Sequence, residues 1–149
     1  MSQELIEFKI GDLILQEPMA LITNWMMSLF SMYAYFKLRG TDVREVVLWR
    51  KFFFIFAIST FFGGLGHLFF QQFGIPGKYP NWITGILAGY FAGLSMLLNL
   101  EQSKGKLFLK LFLFIKGFLL AFFAIYLQKF IFIAVDAILT YIIYCGIIG

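Results

Sequence analysis

Five apolar stretches, near residues 19–38, 52–70, 82–100, 108–128 and 130–149, leave little of this chain for anything else. A helix rising about 1.5 Å per residue needs about 20 residues to cross a bilayer core about 30 Å thick. Each stretch is therefore long enough to be a span. Lipid offers no partners to backbone N–H and C=O groups, so helices that satisfy their own are the expected form. Composition agrees: 61% of the 149 residues are hydrophobic and 13% are charged, against about 25% charged in soluble domains, and the mean hydropathy is +0.86. A soluble enzyme, a nucleic-acid module and a disordered tail are excluded. The sequence predicts an all-α, polytopic transmembrane helix bundle of about five spans, a single membrane domain over residues 1–149.

Charge sits between the apolar stretches. Lys and Arg count one before the first span (Lys9), five in the first connection (Lys37, Arg39, Arg44, Arg50, Lys51), one in the second (Lys78), three in the third (Lys104, Lys106, Lys110) and one in the fourth (Lys129). Eight fall on one side and three on the other. The positive-inside bias then puts the N-terminus outside, and the compact loops fit a bacterial plasma membrane. Before the first span, Ile6, Phe8 and Ile10 alternate with Glu7 and Lys9, and Gly11-Asp12 can turn, so residues 1–17 read as a short hairpin or a surface-lying segment. The apolar ending Cys145-Gly146-Ile147-Ile148-Gly149 fits two readings. Either the last helix just reaches the interface, or the chain is the N-terminal piece of a longer protein. The single cysteine, Cys145, excludes an intrachain disulfide framework and a multi-cysteine metal site.

Small residues mark a packing face. Gly85, Gly89 and Gly93 recur every four residues in the third span, with Ala88 and Ala92 beside them, the pattern that lets membrane helices approach closely. In the second span Ser59, Gly63 and His67, the only histidine, are also four apart. Polar groups within spans usually face the bundle interior. Counting from the outer ends, Asn24, His67 and Asp136 all lie roughly 7–10 Å deep, with Glu17 just above. These four are the candidate polar pocket; pairwise hydrogen bonds that only fix helix order are the competing account. Lys116, inside the fourth span, can snorkel to the cytoplasmic interface or pair with Asp136.

Glu17-Pro18-Met19-Ala20-Leu21-Ile22-Thr23-Asn24 resembles the first-helix Glu-x6-Asn pattern of alkaline ceramidases, with a small hydroxyl residue before the Asn. Gly63-Gly64-Leu65-Gly66-His67 is similar to their second-helix Ser-x-x-x-His signature. The superfamily includes adiponectin-type receptors and consists of seven-helix membrane proteins; uncharacterised bacterial members share an early Glu-Pro and a later Gly-Gly-x-x-His. The resemblance implies zinc-dependent hydrolysis of a lipid amide. His67 would be a zinc ligand, and Glu17 and Asn24 first-helix site residues. The chain departs from the pattern: Gly63 stands for the family's Ser, Lys78 for an expected Asp, and there is no His-x-x-x-His. A catalytic zinc takes three protein ligands and one open position, so the set would need His67, Asp136 and Glu17 to converge. Two functions are expected: an integral membrane protein resembling ceramidase-like hydrolases, with a lipid substrate, or a non-catalytic membrane receptor, scaffold or small-molecule-binding protein. Transport is a third, without the broken helices or paired repeats that would support it.

Overall fold

The computed structural model describes residues 7–10, 13–100 and 104–148. Strands β1 (Glu7–Ile10) and β2 (Leu13–Gln16) pair antiparallel, with Glu7 opposite Gln16 and Ile10 opposite Leu13. The turn residues Gly11-Asp12 lie outside the described residues. The elements after the ribbon are helices: α1 (Pro18–Lys37), α2 (Arg44–Leu68), a short α3 (Phe70–Phe73), one 3-10 turn (Ile75–Lys78), α4 (Tyr79–Leu97), α5 (Lys104–Leu127) and α6 (Ile131–Ile138), which runs on in wider π-type turns from Leu139 to Ile148.

Three of these helices, Arg44–Leu68, Lys104–Leu127 and Ile131–Ile148, are both long and apolar enough to cross a membrane. They mark the bundle as membrane-associated. Less than a third of each apolar window is buried within the molecule, and α5 turns Phe108, Phe114, Phe118 and Tyr126 outward. Such a surface suits lipid. Helices α1 and α4, of 20 and 19 residues, match a span in length, but Thr23, Asn24, Asn81 and several small residues hold their hydropathy down.

Helices also reach beyond the apolar stretches. The apolar run of the second span opens at Phe52, whereas α2 begins at Arg44, so Arg44, Arg50 and Lys51 sit on its first turns. Arg and Lys are good helix formers, and the Lys51 ammonium lies over the Phe91 ring of α4 at 5.5 Å. Likewise α5 begins at Lys104. Lys106, buried, donates to the carbonyls of Leu100 (2.6 Å) and Leu98 (3.4 Å) at the end of α4, where the helix dipole favours a cation.

Helix α4 is the centre of the bundle, touching α2, α5, α6 and the π-type segment. Its small residues make this possible. A Cβ at Gly85 would lie 3.2 Å from Ser59 Oγ of α2, one at Gly89 would meet Thr140 at 3.5 Å, and one at Gly93 would collide with Leu113 of α5 at 2.8 Å. One stripe thus faces three neighbours. Ala88 and Ala92 pack on Phe52, while Leu97, Leu113 and Tyr144 form a second buried cluster. Since lipid tails are as apolar as the side chains, such close contact and interhelical hydrogen bonds carry the association. Ser28 Oγ donates to the Ala57 carbonyl (2.8 Å), and Tyr144 Oη to that of Leu109 (2.8 Å).

Candidate functional site

The start of α1, the end of α2, the start of α4 and the α5–α6 turn meet at one end of the bundle. There Glu17 and His67 pair, His67 Nδ1 standing 2.5 Å from Glu17 Oε2. An ionised carboxylate only accepts, so Nδ1 is the donor in this contact, and in the neutral imidazole Nε2 is then the acceptor. About a third of each side chain remains exposed. Glu17 enters α1 in the left-handed backbone region (φ +47°), and the proline after it starts the helix. Strain at a non-glycine residue persists where surrounding contacts over-determine it, and such positions cluster at functional sites. Gln128, in the α5–α6 turn, is also left-handed (φ +54°).

Directly beneath lies an amide–hydroxyl group. Asn24 Nδ2 donates to the Ala20 carbonyl (2.8 Å), and Ser59 Oγ donates to Asn81 Oδ1 (2.7 Å), near the Asn81 carbonyl as well (3.0 Å). Gly63 is the space between the two asparagines: a Cβ there would lie 3.0 Å from both Asn24 Oδ1 and Asn81 Nδ2. Gly63 is therefore a gap into which two amides lean.

A cavity of about 330 Å³ opens beside this group, lined by His67, Lys78, Asn81 and Gln128 and walled by aromatic rings including Trp82 and Phe130. Lys78 lies over the Phe70 ring at 4.6 Å, and the Trp82 and Phe130 centroids are 6.3 Å apart. The β-ribbon leans on the same end: Gln72 Nε2 donates to the Ile14 carbonyl at 3.0 Å.

Asp136 keeps different company. Lys116 Nζ donates to Asp136 Oδ1, to the Asp136 carbonyl (3.3 Å) and to Thr140 Oγ1 (2.7 Å). Both charged residues are buried, Lys116 to 7% and Asp136 to 3% exposure. Of the two courses open to Lys116 in the sequence, it takes the pair and not the snorkel, because its stem and the α5–α6 packing bridge the offset in depth. The four expected pocket residues thus separate: Glu17 and His67 bond, Asn24 lies across Gly63 from Asn81 and bonds within its own helix, and Asp136 belongs to an ion pair with Lys116. Asn81, Lys78 and Gln128 complete the site. Asn81 had a sequence signal, a polar residue opening a span beside Pro80; Gln128 had none beyond its place in a tight turn.

Zinc is the metal that the ceramidase resemblance implies. A carboxylate on the distal nitrogen is how metal-binding histidines are commonly oriented, and His67 has that support. Among the described residues, however, no three His, Cys, Asp or Glu side chains converge, and Asp136 is engaged by Lys116. The donor set falls short of a zinc site.

Neither the curated proteins nor the solved structures contain a match to the chain. Its residues 19–149 match a family model described as a family of unknown function (DUF6962), covering all five long helices, and the chain belongs to that family.

Proposed function

We propose that this is a multi-pass membrane protein of five spans, N-terminus outside in a bacterial plasma membrane, that binds the polar head of a lipid or other small amphiphile in the cavity beside His67. One observation carries this reading: an imidazole fixed by a carboxylate lines a cavity of about 330 Å³ together with a lysine and two amides, against aromatic walls. Binding sites characteristically combine mostly apolar walls with a few placed polar groups, and Trp and Tyr favour the membrane interface. Lys78 supplies a cation and Asn81 an amide, a set suited to a carbonyl or anionic head. The protein purified in lipid nanodiscs, examined by native mass spectrometry, should retain a discrete amphiphile, and His67→Ala and Lys78→Ala should lose it. Retention unchanged by both substitutions overturns the reading.

A second reading keeps the likeness to alkaline ceramidases and is favoured by the Glu17–His67 contact alone. A histidine held at Nδ1 by a carboxylate can act at Nε2 as a general base toward water, and Lys78 would offer charge to the oxygen of a lipid amide. This route uses no metal. Hydrolysis of an N-acyl lipid that persists in chelator and vanishes in His67→Ala supports it; binding without turnover leaves the first reading standing.

A further inference from the structure

A second cavity, of about 270 Å³, lies between α4 and α5, away from the Glu17–His67 end. Its walls are apolar and outward-facing, with Ile83, Leu87, Phe114 and Phe118 all well exposed on the surface of the bundle. Its floor is not apolar, because Lys116 and Asp136 line it. A buried ion pair is weak evidence for stability, since hydrophobic replacement is often neutral or better, and ionisable groups within spans usually mark function.

The hydrogen bonds of that pair decide what the cavity can accept. Lys116 has three ammonium protons and three acceptors: Asp136 Oδ1, the Asp136 carbonyl and Thr140 Oγ1. It has nothing left to donate, and no lone pair with which to attack a carbonyl. Asp136 is the open member. Its Oδ1 accepts from Lys116, but among the described residues no hydrogen bond reaches Oδ2. Gly117, which lines the cavity, leaves room beside the carboxylate: a Cβ there would lie 4.0 Å from Oδ1, and one at Gly89, on the facing helix, would lie 3.8 Å from Oδ2. Both belong to the helices that frame the cavity. The small residues here leave room at a charged oxygen as well as bringing helices together.

We propose that the cleft between α4 and α5 binds a hydrophobic molecule bearing a hydroxyl group, which enters from the lipid and donates its hydrogen to Asp136 Oδ2. The hydrocarbon takes the place of membrane chains against Ile83, Leu87, Phe114 and Phe118. The hydroxyl supplies the one thing the wall lacks, a donor. An ether of the same chain fits the same walls but leaves Oδ2 without a partner, which is the costly outcome for a buried polar atom. Discrimination therefore follows the donor and not the length of the chain.

The probes are dodecanol and its methyl ether, each carrying a photoreactive diazirine in the chain, applied to the full-length protein in nanodiscs and mapped by peptide mass spectrometry. Dodecanol should label the Ile83–Tyr90 and Leu113–Ala121 segments at least several-fold more strongly than the ether. Ala121→Trp, which fills the cleft without touching the ion pair, should abolish labelling by both. The double variant Lys116→Met/Asp136→Leu removes the pair together and leaves no charge stranded; it should still fold and should label equally with both probes. Equal labelling of the unaltered protein by alcohol and ether, or alcohol selectivity that survives the double variant, overturns the proposal.

Discussion

His67 Nδ1 and Glu17 Oε2 lie 2.5 Å apart although fifty residues separate them in the chain, and this contact ties the start of α1 to the end of α2 beside the cavity. Since about a third of each side chain is exposed, water screens the pair. Its loss should cost little stability, at most about 1 kcal/mol. Glu17→Ala is therefore expected to leave the melting temperature in detergent nearly unchanged while weakening amphiphile retention several-fold, because the imidazole loses the acceptor that orients it. A large drop in melting temperature with normal retention would make the contact structural only.

The Lys116–Asp136 pair should behave in the opposite way. Both residues are buried, and removing one partner strands the other charge, a loss of about 3–5 kcal/mol. Lys116→Met and Asp136→Leu should each destabilise the bundle strongly, and the double variant should recover most of that loss. Thermal unfolding of the three variants in one detergent checks it: additive losses would mean that the two groups do not act on one another.

Two glycines on different helices separate hard from soft contacts. A Cβ at Gly66 would lie 2.9 Å from the Gly77 carbonyl oxygen, a backbone atom, whereas at Gly93 the obstacle is the tip of Leu113 at 2.8 Å. Overpacking typically costs about 1–3 kcal/mol. Gly66→Ala is expected near the upper end and Gly93→Ala near the lower, since a leucine tip can turn aside and the Ile75–Lys78 turn would have to move. Unfolding midpoints of the two variants should differ in that order.

Orientation is testable through a single thiol. With Cys145 replaced by serine, a cysteine at Lys129, exposed in the α5–α6 turn, should react in intact cells with a membrane-impermeant maleimide. One at Asp42, in the α1–α2 connection, should react only after lysis. The reverse pattern would place the N-terminus inside.

The approximate positions of the long helices could be read from the sequence, because apolarity is a local property, but not their starts: α2 and α5 open on charged residues ahead of their apolar stretches. Pro18 and Pro80 mark the openings of α1 and α4, and the alternation around Glu7 and Lys9 anticipated the ribbon strand. Local signals do not carry the angle at which a helix faces its neighbours. Glu17, Asn24, His67 and Asp136 share a depth by residue counting, yet they divide between two centres, because depth fixes a side chain along the helix axis and packing fixes it around that axis. The stripe of Gly85, Gly89 and Gly93 announced close approach without naming partners; only the assembled bundle turns it toward Ser59, Thr140 and Leu113 in succession. The same packing brings Asp136 to Lys116 across the α5–α6 turn and sets Asp136 in the lining of the cleft, since in a medium as apolar as the side chains it is the fit of small residues, and not hydrophobicity, that selects which surfaces meet.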